Sequence, residues 1–114
     1  MFMPMIKTPQ TDLLVQALLA LKEPEDAHRF LEDVLTIQEL KSIAQRLEVA
    51  VLLREQVTYQ EIARRTGAST ATISRVNRAL LYGAQGYERV LDALVARGLT
   101  GQKKLERENV EDRG

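Results

Sequence analysis

Cysteine is absent from this 114-residue chain, and so is tryptophan; phenylalanine and tyrosine together supply 4% of it. Without thiols there is no disulfide, no thiolate nucleophile and no cysteine-ligated metal, which fits a reducing compartment. With so few rings the core must come from Leu, Val, Ile and Ala, side chains that pack readily between helices. No Gly-rich phosphate loop is present. The one histidine, His28, lies beside the apolar Ala27 and Phe30, and Glu32, Asp33 and Glu39 are spread along polar helix faces. No catalytic constellation can be assembled from these, so the chain is expected to be no enzyme and to carry no metal or cofactor. No apolar run approaches the ~20 residues of a membrane span. The apolar start (Met1, Phe2, Met3, Met5, Ile6) is too short for a signal segment and is broken by Pro4. A soluble cytoplasmic protein without a membrane partner is the expectation.

Net charge is zero, yet the charge is unevenly placed. Residues 1–53 carry five bases against eight acids, and residues 79–114 carry six of each. Between them, residues 54–78 hold Arg54, Arg64, Arg65, Arg75 and Arg78 against Glu55 and Glu61. All five bases there are Arg, whose planar guanidinium donates paired hydrogen bonds to phosphate or to a guanine edge.

Length predicts one domain, and apolar spacing predicts six helices. Leu13, Leu14, Ala17, Leu18 and Leu21 form the first stripe, which Pro24 ends while opening the second, Ala27, Phe30, Leu31, Val34 and Leu35. Thr36 and Glu39 have capping-box spacing and open a third helix through about Leu53. That helix finishes on Val49, Ala50, Val51, Leu52 and Leu53, apolar nearly all round. A small chain has little mass to cover such a surface, so part of it is expected to meet a second protomer. After a Gly-bearing connection at 82–87, Tyr87, Val90, Leu91, Leu94 and Val95 make a sixth stripe, closed by Gly98 at C′. The expected layout is an N-terminal arm at 1–11, a helical domain at 12–98, and a charged, mobile tail at 99–114.

The informative stretch is 58–81. Thr58 and Glu61 repeat the capping-box spacing, Ala63 is small where two helices would cross, and Gly67 sits where a turn needs positive φ. Ser69 can cap the next helix, with Ile73 and Val76 facing inward. This is helix-turn-helix spacing. The outward face then presents Ser69, Thr70, Ala71, Ser74, Arg75 and Arg78. A recognition helix enters the major groove by its N-terminal residues, where bulk would block approach. Thr70, Ala71 and Thr72 suit a thymine methyl, and the hydroxyls suit base edges or phosphate. Tyr59, Gln60 and Arg64, on the preceding helix, suit the phosphate backbone.

The run from Phe30 to Leu94 resembles the tryptophan repressor superfamily and, within it, the YerC/YecD branch of tryptophan-repressor-like proteins. The resemblance is carried by Leu35 and Thr36, Arg46, Leu52 to Arg54, Gly67 and Ala68, Ala71 to Ile73, Arg75 and the region of Leu80. It implies an all-α, six-helix fold with a helix-turn-helix and an intertwined homodimer. It implies paired recognition helices on a near-palindromic double-stranded DNA operator. It also places Thr36, Arg46 and Arg75 at corepressor-pocket positions. Val76 departs from the family, standing where a glycine leaves room for the indole. Asn77, Ala79, Gln60 and Ala63 depart as well. Tryptophan is therefore not expected as an obligatory corepressor, and Thr36, Arg46, Arg75 and Val76 are left as a candidate pocket for an effector of unspecified identity. A protein-interaction module on the same fold is the alternative, which Arg75 and Arg78 on the outward face count against.

Overall fold

Six helices and no strand make up residues 1–101, the residues described by the computed structural model: α1 (Pro9–Ala20), α2 (Pro24–Val34), α3 (Ile37–Arg54), α4 (Tyr59–Thr66), α5 (Thr70–Tyr82) and α6 (Gly86–Ala96). The expected mobile tail lies, from residue 102 onward, outside the described residues.

The helix starts are set locally. Thr8 accepts the amide of Thr11 while its own amide is taken by the Thr11 hydroxyl, and Pro9 opens α1, where a missing N–H costs nothing. Helix α1 thus begins inside the stretch expected to be an arm. Pro24 opens α2 in the same way. At α3 the expected capping box closes: the Glu39 amide donates to Thr36 Oγ1 at 3.1 Å, and the Thr36 amide donates to the Glu39 carboxylate at 2.9 Å. That second bond holds the Glu39 carboxyl below the usual carboxylate range.

Two helix ends use the paired Schellman bonds. After α6, Gly98 at φ 72° donates to Val95 O and Leu99 to Leu94 O, both at 2.9 Å. Gly98 occupies C′, as its position in the sequence suggested. After α3, Gln56 donates to Leu53 O at 2.9 Å and Val57 to Leu52 O at 3.0 Å, and here the left-handed residue is Gln56 itself, at φ 61°. No glycine marks that end in the sequence.

The chain divides into two units, Met1–Leu40 and Lys41–Gly114, with the boundary inside α3. In the first unit no residue is buried, and Leu13, Leu14, Val15, Leu18 and Leu19 of α1 are exposed. The second unit holds the core: Val49, Ala50 and Leu52 of α3, Ile62 of α4, Ala68 of the following turn, Ile73 and Val76 of α5, and Leu91 of α6. Burying an aliphatic side chain of this size is worth about 1.5–3 kcal/mol, so this cluster carries the unit's stability.

The apolar end of α3 finds its cover inside that cluster. Val49 and Ala50 are fully buried, Leu52 is buried, and Val51 and Leu53 pack half-buried against the same residues. Much of the cover for this stretch thus comes from α4, α5 and α6 of the same chain, with Val51 and Leu53 left half-buried. Exposed apolar side chains are found on α1 (Leu13, Leu14, Val15, Leu18 and Leu19) and also at Ile43 and Leu47 of α3, Leu81 and Tyr82 of α5 and Val90 of α6.

Arg54 is engaged within the fold. Its side chain, counted with the basic stretch, is only 11% exposed, and Nη1 donates to Asp92 Oδ1 at 2.7 Å and to the Glu88 carbonyl and carboxylate at 3.4 Å. It ties α3 to α6 and offers little to a ligand.

Candidate nucleic-acid interface

Helices α4 and α5 pack on one another through a three-residue turn. Thr58 begins α4 by accepting the Glu61 amide at 3.2 Å. Gly67 ends it at φ 75°, ψ 5°, a left-handed conformation that costs a residue with a Cβ about 1–2 kcal/mol. Thr66 braces the turn from inside: its hydroxyl donates to Ile62 O at 2.7 Å and accepts the Ala68 amide at 3.1 Å, while Gln45 of α3 donates to the Thr66 carbonyl at 3.2 Å. Ser69 caps α5 by accepting the Thr72 amide at 3.1 Å. Ile62, Ile73 and Val76 are buried between the helices, so the angle between them is fixed by packing as well as by the turn.

The outward side of α5 carries Thr70, Ala71, Ser74, Arg75 and Arg78, all exposed. Ala71, Ser74, Arg75 and Arg78 line one open groove of about 350 Å³. Ser69 is exposed too, but its hydroxyl donates to Thr72 Oγ1 at 3.1 Å, and Thr72 is half-buried. Capping has therefore engaged two of the four hydroxyls read as DNA contacts, those of Ser69 and Thr72, leaving those of Thr70 and Ser74 uncommitted among the described residues. Tyr59 and Gln60 are exposed at the start of α4. Arg65, read only as part of the basic excess, is exposed as well, and among the described residues no carboxylate is paired with Arg65, Arg75 or Arg78.

Arg64 differs from these three. Its Nε donates to Glu61 Oε1 at 2.8 Å and its Nη2 to Glu61 Oε2 at 2.5 Å, a two-pronged fork one turn apart on α4. The pairing holds the Glu61 carboxyl below its ordinary range and raises the guanidinium further. The expected capping box at Thr58 is thus only half made: the hydroxyl accepts the Glu61 amide, but the carboxylate turns to Arg64.

The Trp repressor protein family matches this chain over residues 9–95, which includes all six helices but the last residue of α6. The chain belongs to the Trp repressor family. The protein YerC of Bacillus subtilis is 52% identical to it over 87 residues, spanning 76% of this chain and 84% of YerC. A Trp operon repressor homolog of Chlamydia caviae is 46% identical over 61 residues, spanning 53% and 60% of the two chains. In three dimensions, a TrpR-like protein from Eubacterium eligens superposes with a TM-score of 0.77 at 53% identity, covering 84% of this chain and 96% of that one.

Within this Trp repressor family fold, the residues read as an effector pocket are divided between the two units. Thr36, in the first unit, is spent as the cap of α3. Arg75 lines the outward groove of α5. Val76 is 2% exposed in the core, so its isopropyl group fills the α4–α5 junction and not a ligand cavity. Arg46 lines an open cavity of about 520 Å³ with Ile43, Leu47, Ala79, Ala84, Tyr87 and Val90, as its only charged lining residue. Sequence reasoning missed this cavity, because its walls come from three helices whose approach no local spacing encodes. Its one local hint is the small pair Ala84 and Gly86 before α6.

Proposed function

We propose that this chain is a helix-turn-helix transcriptional regulator that binds double-stranded DNA as a cytoplasmic homodimer on a near-palindromic operator. The observation that carries the reading is the outward face of α5: small and hydroxyl side chains at its N-terminal end, then two arginines with no carboxylate partner among the described residues. The N-terminal turn of α5 enters the major groove, where Thr70 and Ala71 contact thymine methyls and Ser74 and Arg75 reach base edges. Arg78, Arg65, Tyr59 and Gln60 hold the phosphate backbone. The dimer is supported by α1, whose exposed Leu13, Leu14, Val15, Leu18 and Leu19 make an apolar strip that a second copy would cover.

Tryptophan is not an obligatory corepressor in this reading. Its support is Val76, which stands where the family pattern has a glycine and whose buried isopropyl group leaves no such space. Titration calorimetry with L-tryptophan, with and without DNA, tests this point, and micromolar binding that tightens DNA affinity refutes it.

The main test is a salt titration of binding to duplex DNA. Three uncommitted arginines per protomer, doubled in a dimer, give a log–log slope on the order of −5. Arg78→Ala weakens binding to all duplexes alike, whereas Thr70→Ala weakens a footprinted genomic site more than random sequence. Binding that stays flat from low to physiological salt overturns the reading and leaves a protein-interaction module in its place.

A further inference from the structure

Glu61 is the only carboxylate in α4 and α5. Its neighbourhood repeats that of Glu39, a Thr three residues before it at the helix cap, yet the two carboxylates behave differently. Glu39 reaches back to the Thr36 amide and completes its capping box. Glu61 leaves the Thr58 amide and closes a fork on Arg64. The geometry of that fork, two parallel N–H donors on two carboxylate oxygens, is the one with which a guanidinium grips a phosphate. Arg64 and Gln60 stand one turn apart on α4, so the fork lies beside a residue assigned to the DNA backbone.

From this we infer that Glu61 is a built-in competitor for the phosphate backbone, occupying Arg64 and holding down the sequence-independent part of DNA affinity. The inference rests on the DNA-binding reading above and deepens it. The Arg64 side chain is 71% exposed and that of Glu61 39%, so the competition takes place at the solvent boundary, where a nearby phosphate is a comparable partner. Whichever way Arg64 goes, Glu61 opposes the backbone. If Arg64 stays, a cation is withheld; if it leaves, a bare carboxylate is left facing phosphate. Because the base-reading side chains are on α5, this penalty falls on all sequences alike. The result is a regulator that releases random DNA quickly while its reading helix is unchanged.

The test uses the full-length protein and a fluorescein-labelled random-sequence duplex, with anisotropy read across a range of salt. Glu61→Gln keeps the backbone amide that Thr58 caps, so the helix start is retained, and a thermal melt checks it. Glu61→Ala is the second charge-removing variant and must move the same way. The expected result is several-fold tighter binding at low salt and a slope steeper by about 0.9 per protomer. Adding Arg64→Ala to Glu61→Gln removes that gain, and it costs more slope in that background than in the wild type. Unchanged affinity and slope in both Glu61 variants, with wild type binding normally, overturns the role of Glu61 alone. Equal slope losses for Arg64→Ala in the two backgrounds do the same. A wild type that does not bind the duplex overturns the DNA-binding reading and this inference with it.

Discussion

Arg54 offers a test in which structure and DNA binding separate cleanly. By position it is one of the five arginines that make residues 54–78 basic. In the fold it is 11% exposed and bound to α6, with its shortest bond, 2.7 Å, on Asp92. A hydrogen bond between charged groups contributes about 1.5–3 kcal/mol, while an exposed ion pair contributes only about 0–1 kcal/mol. Arg54 lies between these cases. Its own side chain is shielded, but Glu88 and Asp92 are 39% and 58% exposed and can rehydrate once it is gone. The two 3.4 Å contacts to Glu88 are long and add little. The expected cost of Arg54→Ala is therefore about 2 kcal/mol, part of it from the packed aliphatic stem. For a domain of this size that lowers Tm by roughly 8–15 °C. Arg54→Met keeps the stem and loses the charge, so it should recover part of the loss. In a salt titration neither variant should flatten the slope, provided it is measured well below the melting temperature. An Arg54→Ala protein that melts like wild type while its salt slope falls by about 0.9 per protomer would refute the structural role and assign Arg54 to the DNA.

Gln56→Gly should stabilise the fold by about 0.5–1 kcal/mol in urea unfolding, because it relieves a Cβ in the left-handed region at the cost of a more flexible unfolded chain. Leu18→Asp, on the exposed strip of α1, should give a monomer in sedimentation velocity, whereas a wild type already monomeric at micromolar concentration counts against the dimer. Glu39 titrates below its ordinary value near 4.5 in the folded chain, so its contribution is fully present above that value and is lost as pH falls through the lowered one. The stability gap between wild type and Glu39→Gln should be open at neutral pH and close in acid, and a gap that widens in acid refutes the cap as its source.

What the sequence determined by itself is what is bonded within one helical turn. The starts at Thr36, Thr58 and Ser69, the left-handed Gly67 and the Gly98 terminus each depend on partners no more than five residues apart. Helix geometry alone brings those groups together. The exposed face of α5 was legible for the same reason, since Ala71, Ser74, Arg75 and Arg78 share one side by the 3.6-residue period. Even the diversion of Glu61 has a local cause: Arg64 stands three residues on, where Glu39 has only Ser42.

What only the tertiary structure decided are pairings across long separations. Arg54 meets Asp92 across 38 residues, and no spacing rule chooses between that carboxylate and a phosphate. The end of α3 reads as apolar on every side, but whether its cover comes from a second copy or from α4 to α6 depends on where those helices come to lie. Val76 could be assigned to a ligand cavity or to the junction, and close packing of Ile62, Ile73 and Val76 sent it to the junction. Periodicity names the face of a helix that must be buried. Which partner buries it is decided by the fit of all the helices at once, and that fit is not written in any single segment.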